Sequence, residues 1–145
     1  MKIIIDSQDK ISSMAASMIA EHAKAKPGCA MAFAAGRTTK KVYDALTAMN
    51  IKELAECKAF TVCEYEGLEA GDTRSCAYRL NEELYSKAGI TQIFTPNAEN
   101  ADKFDAEIEE CGGIELAVLG IGTNGHIGFN RSEEHTSELQ SLCCI

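Results

Sequence analysis

One stretch gathers the residue types that chemistry needs. Gly120-Ile121-Gly122-Thr123-Asn124-Gly125-His126-Ile127-Gly128-Phe129-Asn130 sets four glycines around a single histidine. An imidazole moves protons near neutral pH, and a glycine backbone can close on a small molecule. On residue types alone, a loop histidine satisfied within its own turn is the plainer alternative. A second stretch, Cys63-Glu64-Tyr65-Glu66-Gly67-Leu68, puts a thiol beside a carboxylate, a pairing suited to proton transfer. A buried small side chain is the commoner use of such a cysteine. The third stretch is Ala34-Ala35-Gly36-Arg37-Thr38-Thr39, where helix N–H groups, two hydroxyls and a guanidinium favour an anion. It matches neither standard glycine fingerprint for nucleotides, and a strand-to-helix turn with a threonine cap explains the spacing equally well.

Such loops need strands and helices to hold them. Residues 2–5 form an apolar run that reads as a short buried strand. Ile11, Met14, Ala15, Met18, Ile19 and His22 fall on one helical face, after Asp6 and Ser7 as capping residues and before Pro27-Gly28. That places His22 in the core or at its boundary. Residues 29–35 are continuously apolar, as in a parallel strand buried on both faces. A helix carrying Val42, Ala45, Leu46 and Met49 follows. Further strands are expected at 59–63, 92–94 and 114–119, with helices over about 75–87 and from Asn100 to Gly112-Gly113. Each of the three chemical loops then leaves the carboxyl end of a strand. The alternation predicts an α/β fold, a Rossmann-like parallel sheet with helices on both faces.

Composition narrows the function. The chain has 145 residues, 46% hydrophobic and 25% charged, in the range of a globular domain. Its net charge of −8 and lack of a basic run argue against nucleic acid. The apolar start is stopped by Asp6, too early for a signal core or a membrane span, so a cytoplasmic protein is expected. Seven scattered cysteines form no CxxC pair, which reads as reduced thiols without a metal site.

The character changes after Asn130. Residues 131–145 continue no pattern, and the run from Arg131 to Ser141 resembles an in-frame translation of a common DNA sequencing adapter. The expected organisation is a partial α/β domain over 1–130 followed by a non-native tail, leaving His135, Cys143 and Cys144 without function. A polar C-terminal helix is the alternative.

Residues 119–130 closely resemble the signature of the glucosamine-6-phosphate deaminase/isomerase family, which normally continues with Glu-Pro. Residues 32–43 resemble that family's phosphate loop, and residues 60–68 its segment around Asp-Glu-Tyr-x-Gly-Leu. The resemblance implies conversion of a hexosamine 6-phosphate to fructose 6-phosphate and ammonia, without metal or organic cofactor. It implies that His126 opens the sugar ring and that Asn124 orients it. It places Gly36, Arg37 and Thr38 at the phosphate, and Gly122 and Gly125 against the sugar. Cys63 stands where the family has its aspartate base, with Glu64 as a substitute to consider. Ala35 and Arg37 stand where Thr and Gly are usual. A small-molecule sugar phosphate is the expected partner, with room for a homo-oligomer in the full-length form. Two other readings remain: a 6-phosphogluconolactonase of the same fold, and a non-catalytic sugar-phosphate sensor.

Overall fold

The computed structural model describes residues 2–68 and 71–129. Asn130 and the tail with His135, Cys143 and Cys144 lie outside the described residues. Four parallel strands form one sheet: β1 (Ala30–Phe33), β2 (Lys58–Thr61), β3 (Gln92–Phe94) and β4 (Leu116–Val118), in the order β3-β2-β1-β4. The register sets Phe33 beside both Thr61 and Val118, and Phe60 beside Phe94. The strands therefore end nearly level, and the loops that follow them share one edge.

Alternation along β1 explains why both faces are covered. Met31 and Phe33 point into one core with Ala59, Tyr43, Leu46, Leu54, Leu84 and Tyr85. That layer is built by α1 (Gln8–Ala25), α2 (Arg37–Ala48), a 3-10 turn at Lys52–Glu56, and a helix continuous from α3 (Cys76–Leu80) through a π turn (Asn81–Tyr85) to α4 (Ser86–Ala88). Ala30, Ala32 and Ala34 face the other core, where α5 (Ala101–Glu110) brings Phe104 and Ile108 against Phe60. Phe104 meets Phe60 edge-on, with centroids 5.9 Å apart, a favoured aromatic geometry. Small alanines on that side leave room for these rings. The α/β class, the parallel sheet and the helices on both faces agree with the sequence reading.

Two expectations fail. Residues 2–5 form no strand, and Ile3 and Ile5 are 71% and 93% exposed. An apolar run alone does not make a strand; it needs a ladder partner, and none of the described strands pairs with it. The buried face of α1 is also rotated from the expected one. It consists of Ser12, Ala16, Ile19, Ala20 and Ala23, while Met14 and Met18 are exposed. Small side chains let α1 approach α2 closely, so packing distance selected this face over the one with the larger apolar groups. His22 sits at the boundary, its Nε2 3.8 Å from the Glu115 carboxylate.

Candidate functional site

The strand order reverses beside β1: the chain steps outward to β2 and β3, then returns to β4 on the other side. In open parallel sheets the loops on either side of such a reversal part and leave a crevice at the carboxyl ends of the strands. The loops after β1 and β4 flank it here. A methyl group built on Gly120 would lie 3.8 Å from Thr39 Cγ2, so the two loops touch at their roots.

The loop after β1 ends in an open helix terminus. Gly36 is the N-cap of α2 in an extended conformation, and no side chain caps the helix. Thr39 is buried and spends its hydroxyl on the carbonyls of Ala34 (2.9 Å) and Gly36 (3.2 Å). Tyr43 donates to the same Ala34 carbonyl at 2.7 Å. These bonds fix the turn from within. Arg37 and Thr38 are left exposed at the terminus, with no acidic residue in the first turn. A helix start with these features attracts anions.

The loop after β4 is a tight hairpin. Ile121 and Ile127 form an antiparallel bridge, Gly122 N–H donates to the His126 carbonyl at 2.8 Å, and Gly125 N–H donates to the Gly122 carbonyl at 2.9 Å. Gly125 has φ +81°, the left-handed region that a side chain would strain. The His126 ring folds back over Gly122, so that a methyl group there would collide with the imidazole. Nδ1 of His126 is hydrogen-bonded to Asn124 Oδ1, which leaves Nε2 as the ring nitrogen outside that bond. The hairpin then runs across the sheet edge. Gly128 lies over Val62 at the end of β2, and the Phe129 ring packs on Tyr65 with centroids 4.6 Å apart.

The loop after β2 holds its two candidates differently. Cys63 is buried, and its thiol is hydrogen-bonded to that of Cys76 in the first turn of α3. The bond from Cys63 favours a thiolate on Cys76 and moves that thiol below its ordinary pKa, against the opposing effect of burial. Glu64 turns to the same helix. Its carboxylate accepts from the Ser75 hydroxyl (2.6 Å) and from the N–H groups of Ala77 (2.8 Å), Cys76 (2.9 Å) and Tyr65 (2.8 Å). Burial pushes this carboxyl up, but the four hydrogen bonds together outweigh it and hold Glu64 below the usual range. Glu64 is thus engaged as an anchor of α3.

The structure therefore joins His126, Asn124, Gly122 and Gly125 in one hairpin. It sets Gly36, Arg37 and Thr38 beside the root of that hairpin, and Cys63 at the next strand end. Cys76 and Tyr65 are contacts that sequence reasoning did not single out. Cys63 and Cys76 are thirteen positions apart, and no periodicity links them. Among the described residues no cluster of three or more His, Cys, Asp or Glu is arranged to hold a metal ion. No helix among them is long and apolar enough to cross a membrane.

Fold and loops define an open parallel α/β domain whose polar groups gather at the reversal of its strand order. No family model matches the chain. It is 35% identical over 146 residues to glucosamine-6-phosphate deaminase of Clostridium perfringens, covering 93% of this chain and 60% of that protein. It is 30% identical over 143 residues to the corresponding protein of Clostridium beijerinckii, covering 91% and 59%. A solved monomeric glucosamine-6-phosphate deaminase superimposes with a TM-score of 0.82 at 25% identity, over 89% of this chain and 58% of that one. A 6-phosphogluconolactonase of Thermotoga maritima shares the fold, with a TM-score of 0.73 at 20% identity over 88% and 62%. The chain is similar to the glucosamine-6-phosphate deaminases, as its motifs indicated. It spans about three fifths of the length of the curated relatives it matches.

Proposed function

We propose that the complete polypeptide to which this chain corresponds converts a hexosamine 6-phosphate and water to fructose 6-phosphate and ammonia. The observation that carries this reading is the His126 hairpin, a ring held by Asn124 over Gly122 on a loop whose root at Gly120 touches Thr39 in the first turn of the uncapped α2. The relatives' names supply the reaction class. In this reading the phosphate sits on the N–H groups after Gly36, with Thr38 and the guanidinium of Arg37. His126 moves a proton at the ring oxygen, and Gly122 and Gly125 line the sugar. Cys63 occupies the place of the base between C1 and C2, and to act there it must give up the proton it donates to Cys76. The partner is a small phosphorylated sugar and not nucleic acid, in keeping with the acidic surface. The reading extends to a cytoplasmic location and to residues 1–130 as part of a larger α/β domain. A homo-oligomer is the assembly to look for in the full-length form.

The test is an assay of the completed polypeptide with glucosamine 6-phosphate and galactosamine 6-phosphate, following ammonia and fructose 6-phosphate together. Turnover that disappears in His126→Ala is the expected result. Saturable sugar-phosphate binding without turnover would replace this reading with the sensor. The engagement of Cys63 with Cys76 favours that second reading, since a sensor needs no base. Rescue of turnover by Cys63→Asp would identify the missing group.

A further inference from the structure

One cavity among the described residues lies away from the His126 hairpin. It opens one strand further along the sheet edge, between the loops that leave β2 and β3 and the side of α3, with a volume of about 640 Å³. We infer that this cavity is a second small-molecule site, and that its ligand is an unphosphorylated amino sugar or a closely similar hydroxylated amine.

Three features of the lining select that chemistry. The first is a chain of hydroxyls at its base. Tyr85 lines the cavity and is buried; its phenol shares a hydrogen bond with Thr61 Oγ1 at 3.3 Å, and Thr95 donates to Thr61 at 3.2 Å. Thr95 reaches the cavity wall, so a ligand hydroxyl there joins a network already formed. The second is aromatic surface: Tyr65 and Tyr78 join Tyr85 in the lining, and rings of this kind take the apolar face of a sugar. The third is the sign of the charge. Among the described residues Glu64, Glu66 and Glu99 are the only ionisable acids or bases lining it apart from the tyrosines, and no described lysine, arginine or histidine joins them. Glu64 is already committed to α3, which leaves Glu66 and Glu99 facing a ligand. A phosphate would be repelled; a protonated amine would be held.

The position gives the site a consequence. Tyr65 lines the cavity on one side and packs against Phe129 of the His126 hairpin on the other. A ligand that displaces or braces the Tyr65 ring therefore acts on the loop carrying His126. This inference stands on the cavity's own lining and does not depend on the deaminase reading.

The chain contains no tryptophan, and three of its four tyrosines line the cavity, so intrinsic tyrosine fluorescence reports on occupancy directly. The full chain is titrated with glucosamine, N-acetylglucosamine and inorganic phosphate. The expected result is a saturable change with glucosamine that inorganic phosphate does not compete away. Tyr78→Ala weakens that binding at least tenfold, and Glu66→Gln weakens glucosamine but not N-acetylglucosamine. Loss of the signal on adding phosphate would place the sugar at α2 and overturn the proposal. So would the absence of any saturable response, or an unchanged affinity in both Tyr78→Ala and Glu66→Gln. A circular dichroism spectrum like the parent's confirms that each variant is folded. Failure here leaves the hexosamine-phosphate assay untouched, because that assay reads His126.

Discussion

Ser75 donates its hydroxyl to Glu64 Oε2 at 2.6 Å, joining the loop after β2 to the first turn of α3 across eleven residues. Ser75 Oγ also accepts the N–H of Tyr78 at 3.1 Å, so one hydroxyl caps the helix and holds the carboxylate that caps it further. Cys63, Glu64 and Tyr65 are consecutive, and each faces a different part of the site: Cys76, the α3 terminus and Phe129. Anchoring Glu64 therefore fixes the direction of its two neighbours.

Glu64→Ala is expected to cost about 2 kcal/mol, the scale of a lost cap with charge-assisted hydrogen bonds, measured by urea unfolding. The pH dependence follows from the lowered Glu64 pKa. The folded form binds the proton less readily than the unfolded one, so the stabilisation is complete above the unfolded value of about 4.3 and is lost as pH falls through the folded value. Glu64→Gln should flatten the acid limb of the stability curve below about pH 4.3 relative to the parent. An unchanged acid limb would show that Glu64 does not carry it.

The buried thiols divide into two kinds. Cys29 and Cys57 lie 3.7 Å apart in the core, and burial pushes Cys57 up to about 12 and raises Cys29 as well. Cys76 moves the other way because Cys63 donates to it. In pH-rate profiles of alkylation read by peptide mass spectrometry, Cys76 should react at lower pH than Cys29 and Cys57. Cys63→Ala should shift the Cys76 profile to higher pH. A profile that stays in place would remove Cys63 as the cause.

How far the fold could be read in the chain depends on which residues set each element. The strand at 92–94 and the end of α5 at Gly112-Gly113 were legible because local chemistry decides them: a short β run before Pro96, and a glycine pair with positive φ. The glycine-rich loop around His126 was legible from composition, but its bridge between Ile121 and Ile127 was not. The buried face of α1 was not, because both the Met14–Met18 side and the Ala16–Ala20 side have helical spacing. The choice was made by α2, whose approach favours alanine. The Cys63–Cys76 contact and the Glu64 anchor were equally out of reach, since both depend on where α3 begins in space relative to β2.

Ala16 and Met18 test that account of α1. Ala16 is fully buried and Met18 is 60% exposed. Ala16→Leu should destabilise by about 1–3 kcal/mol through overpacking. Met18→Lys should fall within about 0.5 kcal/mol of the parent. Thermal unfolding of both variants would check the rotation of the helix, and the reverse order would mean that α1 buries its methionine side.

Gly122 is the position where a single methyl group separates geometry from stability. Its Cα lies under the His126 ring, and a Cβ there would drive the imidazole away from Asn124. The hairpin is at the surface, so the fold has little at stake. Gly122→Ala in the completed polypeptide should lower kcat by about a hundredfold, the effect of misplacing a reacting group by about 1 Å, with a melting temperature near the parent's. A kcat that survives would mean that His126 acts from a different rotamer.

Arg37 and Thr38 sit exposed at a helix start that no side chain caps, so their contribution is separable from folding. Arg37→Ala should weaken sugar-phosphate affinity by about tenfold, the weight of one charge-assisted contact, with no loss of stability. Because the guanidinium is in solvent, the difference between Arg37→Ala and the parent should shrink as salt rises toward about 1 M, where the Debye length is about 3 Å. The N–H groups of the helix start are held in place by Thr39 and Tyr43, whose bonds to Ala34 are buried. They should keep their part of the affinity at high salt. A variant that loses all phosphate binding would assign the anion to Arg37 alone and leave the helix terminus as a turn.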